Sequence, residues 1–391
     1  MWAAKHTGLD VSKDITTRRL RAGIVGGGRG AFIGSVHRIA AELDGQATVV
    51  AGAMSSDPTI ARESAAAWFL DRTYDSFESM AREEAARPDG IDFVIVATPN
   101  NLHCPVANAF LDAGIHVMCD KPLAFTLAEA EQLAARTARG TTLLGLTHTY
   151  TGYPAVREAR ELVRTGAVGA LRKVLVEYQQ DWLMEPLEKR GNKQAEWRTD
   201  PARAGLSCCV GDIGTHAANL LEYITGKVIT SLCADLTSFV PGRPLDDDAN
   251  ILLRLEGGAK GTLTCSQVAC GEENNLWIRV YGTKAGVEWH QQEPNTLILK
   301  PAGEPWRLLR TGGGYLSKAA KASTRTPGGH PEGYLEAFAN LYRAFAADIR
   351  RVAVGDRPEG GYANAQDGLR GMRFIARAVE SSTHGAGWVD V

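Results

Sequence analysis

Short apolar runs alternate with stretches in which Ala, Glu, Leu and Arg recur at helical spacing through the first part of the chain. Leu20–Val25, Ala47–Met54, Ile91–Ala97, Gly114–Cys119 and Thr141–Leu146 each predict a buried strand, and Thr126–Ala135 predicts a helix. Strands alternating with helices imply a parallel, doubly wound sheet. The texture then changes. Leu171–Tyr178, Val228–Ala234, Asn250–Leu255, Lys260–Cys265, Asn275–Tyr281 and Gly286–Trp289 are short strand-like runs parted by Gly, Pro or Asp. They predict a large, mainly antiparallel open sheet, with helices on one face and the other free to meet a second subunit. The pattern divides the chain into an arm (1–19), an α/β domain (20–146) and an α+β domain (147–391). Segments 179–206 and 310–334 are long excursions of the kind that carries function or is ordered by contacts.

The first strand runs directly into Gly26-x-Gly28-x-x-Ala31 and a helix-like segment. Gly26 permits the turn, Gly28 lets backbone approach a pyrophosphate, and Ala31 lets the helix sit on the strand with its N-H groups toward the anion. At the head of repeated strand–helix units this predicts a Rossmann domain that binds a dinucleotide. Thr98, Pro99, Asn100 and His103 follow the Ile91–Ala97 strand at its carboxyl end, where such a sheet binds its ligand. After the second strand, the position that would hold the adenosine ribose is Ser55, followed by Ser56 and only then Asp57. Serine neither repels a 2'-phosphate nor attracts it, and Arg62 is the nearest downstream cation. Asp57 would reach the ribose if the turn is tight, and its negative charge tips the expectation toward NAD as cofactor, with NADP accepted less well and a preference below about a hundredfold.

Four segments taken in order, Gly26-x-Gly28-x-x-Ala31, Ala97-Thr98-Pro99-Asn100, Asp120-Lys121-Pro122 and Gly211-Asp212-Ile213-Gly214-Thr215-His216, resemble the glucose-fructose oxidoreductase, inositol dehydrogenase and rhizopine-catabolism family (Gfo/Idh/MocA). The likeness extends over about residues 20–350. It implies a nicotinamide-dependent dehydrogenase acting on a ring hydroxyl or the matching ketone, with Gly26, Gly28, Ala31, Ser55, Ser56, Thr98, Asn100, His103, Asp120 and Lys121 on the cofactor side. It implies His216 as general acid/base, with Asp212 and Lys121 positioning and tuning it, and a homo-oligomer, dimer or tetramer, joined through the second sheet.

The residues themselves agree. A hydride leaves a secondary alcohol only if the hydroxyl proton is removed and the oxygen charge is stabilised, so a base and a cation must flank the nicotinamide. Lys121 follows an apolar strand at its carboxyl end. Asp212 and His216 are four apart at the start of a predicted helix and share a face, where the helix dipole favours the carboxylate and keeps the imidazole neutral.

Two features depart from the family pattern. Asp120 stands where the triplet commonly begins with Glu, one methylene shorter. Thr147-His148-Thr149-Tyr150 stands where the family commonly carries Asn-x-Arg, so a guanidinium clamp for an anionic substrate is missing and a neutral polyol is favoured. Tyr150, Trp182, Trp197, Arg198 and His330 are the candidate substrate contacts, since aromatic faces and planar donors suit a sugar ring. His330 lies in a His-Pro-Glu-Gly-Tyr run similar to that of subgroups acting on glucosides and anhydrosugars. Oxidation at C3 of a glucopyranose-type substrate is the sharper expectation.

Composition narrows the rest. The 391-residue chain is 44% hydrophobic and 23% charged, ordinary for a globular enzyme of two domains. With 43 basic against 45 acidic residues, the net charge of -2 argues against nucleic acid or an anionic membrane as partner. No apolar run is long enough for a membrane span. The seven cysteines show no paired metal-ligand spacing and read as reduced thiols in a cytoplasmic protein. Thr17-Arg18-Arg19 invites a twin-arginine export reading, but the apolar segment after it is short, glycine-broken and already used as the first strand. The arm is expected to pack on a neighbouring subunit. Two rival readings stay open: a non-catalytic nucleotide sensor of the same fold, and a metal-dependent hydrolase with Cys208, Asp212 and His216 as ligands.

Overall fold

A computed structural model describes residues 15–391. Its first sheet holds the parallel strands Leu20–Gly26 (β1), Ala47–Ala53 (β2), Arg72–Thr73 (β3), Phe93–Ala97 (β4), His116–Cys119 (β5) and Leu144–Leu146 (β6), in the order β6-β5-β4-β1-β2-β3. Between β1 and β4 the chain changes direction across the sheet, opening the crevice that doubly wound folds use for ligands.

The second sheet is built from Leu171–Gln179 (β7), Ile229–Thr237 (β8), Asp248–Leu255 (β9), Lys260–Ser266 (β10), Asn275–Gly282 (β11), Ala285–His290 (β12), Thr296–Pro301 (β13) and Arg307–Arg310 (β14). Ala363–Asn364 (β15) returns to the first sheet as an antiparallel edge on β6, and Val389–Asp390 (β16) completes the second. The nine strands run β14-β13-β12-β11-β7-β10-β9-β8-β16, antiparallel throughout except for the β7–β10 pair. Along β9 burial alternates strictly, with Ala249, Ile251, Leu253 and Leu255 inward and Asn250, Leu252 and Arg254 outward. One face therefore lies on the core and the other is open, the half-buried sheet that the sequence pattern implies.

Inner residues of both sheets share one core, from Val25 and Val94 through Phe110 to Val176 and Leu263. The other face of β1, with Leu20, Ala22 and Ile24, is covered by the helix Phe32–Leu43 and by Phe338, Tyr342 and Phe345 of the helix Tyr334–Ala353. The far end of the chain thus returns to cover the nucleotide-binding domain, a crossing that a cut at 146/147 does not convey. A bidentate ion pair from Arg325 to Asp44, at 2.7 and 2.5 Å, adds a polar clasp between the same parts.

Residues 1–14 of the expected arm lie outside the described residues. The remainder folds onto its own chain: Ile15 packs on the core under β1, and Arg18 grips Asp92 through two 2.7 Å contacts. No described helix is long and apolar enough to cross a membrane.

Candidate active site

The carboxyl ends of β1, β2, β4 and β5 open into a cavity of about 1130 Å³ that continues beneath the second sheet. It is large enough for a dinucleotide with a small substrate beside it. At one end Gly26 takes φ +78°, and a Cβ there would stand 2.5 Å from the Ala97 carbonyl oxygen. A Cβ on Gly28 would meet the Met54 carbonyl oxygen at 2.6 Å. The close packing of helix on strand falls to Gly34 rather than Ala31. A Cβ on Gly34 would lie 2.1 Å from the Gly27 carbonyl oxygen, whereas Ala31 is the half-exposed residue that begins the helix. No side chain caps that helix, so its first N-H groups are left for an anion. A glycine cradle and an uncapped helix N-terminus fit the pyrophosphate of NAD.

Ser55 and Ser56 line the cavity next to this cradle, while Asp57 does not. The Asp57 carboxylate is committed to capping the helix Pro58–Ala67, accepting from Thr59 N at 2.8 Å and Ile60 N at 3.1 Å. Arg62 is exposed and outside the lining, whereas Arg29 is part of it and pairs with Glu63 at 2.9 Å.

Thr98, Asn100, Asp120 and Lys121 continue the wall. His103 is not part of it. Its ring is buried with Nδ1 2.7 Å from the Pro122 carbonyl oxygen and Nε2 3.0 Å from that of Thr98, so it ties two cavity-lining turns together from behind. Asp120 accepts from its neighbour Lys121 N at 2.8 Å and from Thr147 Oγ1 at 3.0 Å, and its other oxygen lies 3.9 Å from His37 Nε2. Burial works against the Asp120 charge, but His37, Lys121 and His103 outweigh it and hold the carboxyl well below its ordinary range.

Lys121 and Asp212 meet as expected. Lys121 Nζ donates to Asp212 Oδ1 and to the Asp212 carbonyl oxygen, both at 2.7 Å. The second carboxylate oxygen receives Arg198 Nε at 3.1 Å and Gln267 Nε2 at 2.9 Å. Burial again opposes the charge, and Arg198 and Lys121 overcome it, keeping Asp212 ionised.

The backbone here is not the α-helical turn that the spacing implies. Val210–Gly214 forms a π turn, with Thr215 N bonded to the Val210 carbonyl oxygen, and only from Thr215 does an α-helix run to Thr225. Such bulges gather at functional sites. His216 lines the cavity, its Nδ1 buried without a hydrogen-bond partner and its ring edge-on to Tyr150 and His148 at 5.0 and 5.3 Å. Burial first, then the charge of Lys121, hold His216 well below the ordinary histidine range, so desolvation rather than the helix dipole is the main reason it is neutral. Burial brings His148 down to about 3.

Of the substrate candidates, Tyr150, Trp182, Trp197 and Arg198 reach the cavity. His330 does not. Glu332 accepts from the backbone N-H groups of Arg325 and Thr326 and folds the loop so that His330 is turned to solvent, and Tyr334 enters the cavity instead. The sequence reading also missed Tyr178, Gln180, Asn274 and Gln291. Three of these join Tyr150 in one network: Tyr150 with Tyr178, Tyr178 to Asn274 at 2.8 Å, and Gln180 to Asn274 at 2.7 Å. Trp182 Nε1 donates to Gln180 Oε1 at 3.0 Å, and the Arg198 guanidinium lies 4.2 Å over Trp197. Tyr178 ends a predicted strand and Gln180 begins the excursion after it, and only the β7–β11 register, which sets Gln179 opposite Asn275, brings both beside Asn274.

Cys208, Asp212 and His216 do not converge. Cys208 Sγ is directed at Gln267 Oε1 at 3.3 Å, and no group of three or more His, Cys, Asp or Glu side chains among the described residues is placed to hold a metal.

Residues 20–148 match the model of the GFO_IDH_MocA oxidoreductase family, NAD-binding Rossmann fold, and residues 156–288 match a GFO/IDH/MocA C-terminal domain. The uncharacterized oxidoreductase YfiI of Bacillus subtilis is 35% identical over 384 residues, covering 96% of this chain and 98% of that protein. An inositol dehydrogenase homolog from Azotobacter vinelandii, solved with NAD+, superposes with a TM-score of 0.91 at 38% identity over 96% of this chain and 98% of that one. A structure of an inositol dehydrogenase homolog from the same organism with NADH and myo-inositol superposes with a TM-score of 0.89 at 36% identity over 97% of this chain and 100% of that one. Levoglucosan dehydrogenase of Pseudarthrobacter phenanthrenivorans is 26% identical over 72% of this chain and 76% of its own length.

Proposed function

The chain belongs to the Gfo/Idh/MocA family of NAD-dependent oxidoreductases, and from that premise we propose that it oxidises a ring hydroxyl of a neutral cyclitol, sugar, glycoside or anhydrosugar. The observation that carries the reading is the cluster of Lys121, Asp212 and His216 in the same cavity as the glycine cradle. Gly26, Gly28 and the helix start after Ala31 would hold the pyrophosphate, Ser55 and Ser56 the adenosine ribose, and Thr98, Asn100 and Asp120 the nicotinamide side. Bound NAD supplies the hydride acceptor.

The protein residues then divide the remaining work. His216, kept neutral by burial, takes the hydroxyl proton. Lys121, fixed by its two bonds to Asp212, donates to the same oxygen and stabilises the negative charge that develops there. Asp212 holds Lys121 in place and remains ionised because Arg198 and Lys121 flank it.

A neutral substrate follows from charge. Among the described residues five cationic side chains line the cavity (Arg29, Lys121, Lys193, Arg198 and Arg203) against five carboxylates (Asp75, Glu78, Asp120, Glu196 and Asp212), and Lys121 and Arg198 both pair with Asp212, so the wall carries no excess positive charge to recruit a substrate anion. The Tyr150, Tyr178, Gln180 and Asn274 network offers hydroxyls and amides at fixed spacing, as a polyol needs, and Trp182 and Trp197 offer ring faces. Myo-inositol and levoglucosan, bound or oxidised by similar proteins, are both uncharged polyols. C3 of a glucopyranose-type ring is the position we favour. Gathering in solution through the open face of the second sheet accords with its exposed Leu252 and Arg254.

The test is to incubate the protein with NAD and a panel of inositols, free sugars, glycosides and anhydrosugars, following absorbance of the reduced cofactor. Turnover of at least one neutral cyclic polyol is expected. NAD binding with no turnover across the panel, or turnover only of phosphorylated or carboxylated compounds, overturns the proposal, the first outcome favouring the nucleotide-sensor reading.

A further inference from the structure

We propose that Gln267, oriented by Cys208, is the positioning residue that keeps Asp212 turned toward Lys121. This inference rests on the catalytic reading of Lys121 and Asp212 above. Asp212 Oδ1 serves Lys121, so the angle of the carboxylate is set by whatever holds Oδ2. Two donors do so, Arg198 Nε at 3.1 Å and Gln267 Nε2 at 2.9 Å. They are attached to the fold differently.

Arg198 ends the six-residue helix Lys193–Arg198 within the long excursion, and its Nη1 donates back to Gln194 of the same helix. Its grip on Asp212 depends on where that segment is placed. Gln267 directly follows β10 and is fully buried. Its N-H donates to the Asp247 carbonyl oxygen at 2.8 Å, and its own carbonyl oxygen accepts from Leu183 N at 3.0 Å. Gln267 is therefore the anchor fixed to the sheet.

The amide has two faces, and only one orientation satisfies its neighbours. Asp212, ionised, can only accept, so it requires Nε2. Oε1 then needs a donor, and Cys208 Sγ is 3.3 Å away. Burial pushes the Cys208 thiol well up, so it carries its proton. Cys208 is itself fixed, with its N-H donating to Asp246 Oδ1 at 3.0 Å. The chain of contacts from Cys208 through Gln267 and Asp212 to Lys121 has one donor and one acceptor at every step. Cys208, half of the adjacent pair Cys208-Cys209, thereby acquires a role that is neither metal binding nor mere packing.

The experiment is a set of variants in the full-length enzyme, assayed with NAD and the neutral polyol that the panel above turns over fastest, myo-inositol being tried first. Gln267→Leu should lower kcat about 10- to 100-fold, the worth of one lost hydrogen bond to a charged group, with NAD affinity within about threefold of wild type. In Gln267→Glu, the new carboxyl faces Asp212 and Cys208, with Asp246 and Asp247 on the adjoining segment and Arg198 and Lys121 beyond Asp212. Protonated, it donates to Asp212 as the amide does; ionised, it repels it. A new alkaline limb in the pH profile of kcat is expected, with near-normal turnover on its acid side, and a packing role would produce no such limb. Cys208→Ala should lose turnover and Cys208→Ser, an O-H donor, should restore it, which decides the matter even where Gln267→Glu does not fold.

A readout without turnover is the rate at which trinitrobenzenesulfonate labels Lys121 in the NAD-free protein, measured by mass spectrometry. It should rise several-fold in Gln267→Leu as the Lys121–Asp212 pair opens. Wild-type kcat and labelling in Gln267→Leu overturn the proposal, as does a Gln267→Glu profile without the limb. Lys121→Met and Asp212→Asn separate the two failures. If those variants are inactive while Gln267→Leu is normal, only this inference falls; if they turn over normally, the catalytic reading falls and takes it along.

Discussion

Removing the ammonium of Lys121 while keeping its stem, as in Lys121→Met, tests the proposed chemistry at its most charged point. Lys121 Nζ sits 2.7 Å from Asp212 Oδ1 and 2.7 Å from its carbonyl oxygen, and the side chain is largely buried. A substrate oxygen accepting from the same nitrogen lies in a medium where one charge about 4 Å away is worth about 4 kcal/mol. The Asp212 carboxylate offsets part of that, leaving about 3 kcal/mol specific to the charge that develops during hydride transfer. At 1.36 kcal/mol per decade, kcat should fall about 10²- to 10³-fold. Folding should survive, because Asp212 keeps Arg198 and Gln267 on its other oxygen. A second signature follows from His216. Burial is the first cause of its low pKa and Lys121 the second, so losing Lys121 lets the pKa rise. The base then becomes protonated at a higher pH, and the acid limb of kcat/KM should move upward. Steady-state rates at saturating NAD across pH 5–9, with NAD affinity measured by fluorescence titration, read both effects. A loss confined to KM, or an acid limb that moves downward, refutes the argument.

Replacing His216 with Ala should cut turnover about 10²- to 10⁴-fold with NAD affinity little changed, and near-normal turnover removes it from the mechanism. In the wild-type enzyme the acid limb of kcat/KM should lie below the ordinary histidine value of about 6.5, because the neutral form is the buried one; a limb above that value contradicts the assignment. Both NAD and NADP should support turnover, with NAD preferred by less than about a hundredfold, since Asp57 is committed to its helix and Ser55 and Ser56 carry no charge. Ser55→Asp should widen the gap, and equal kcat/KM ratios in variant and wild type place the ribose elsewhere. Gly34→Val should destabilise the fold by about 1–3 kcal/mol and weaken NAD binding at least tenfold, because its side chain would drive the helix off the Gly27 carbonyl; thermal melts and NAD titration check both.

Much of the fold was legible because burial on both faces leaves a strong mark in a parallel sheet. Val94, Ile95 and Val96 in β4 and Val117, Met118 and Cys119 in β5 are all wholly buried, and such runs have no polar position to blur them. In the second sheet β9 and β10 show clean alternation and were read nearly to their ends. What escaped was what depends on distant partners. β3, β15 and β16 are two residues each and exist only because β2, β6 and β8 offer edges. The return of the helix Tyr334–Ala353 onto the first domain could not be read either, since an amphipathic helix shows that it has a buried face but not against what.

The same division runs through the site. Residues on the turns that end strands, Gly26, Thr98, Asp120 and Lys121, are placed by local geometry, and local sequence identifies them. Residues whose role depends on what faces them do not behave so. His103 looks like a cavity residue because it follows Asn100 by three positions, yet its ring is drawn inward by two carbonyl oxygens that only the folded turn supplies. His330 and Tyr334 are four apart, and the bonds accepted by Glu332 decide which of them meets the substrate space. Gln267 carries no sequence signal at all: it is an ordinary residue after an ordinary strand, and its bond to Asp212 appears only when β10 is laid beside the π turn. A charged pair such as Lys121 and Asp212 can be recognised from residue type, since its chemistry demands those groups. The neutral amide that aims the pair can be filled by several side chains, so it is found from geometry and tested by the sign of its pH response.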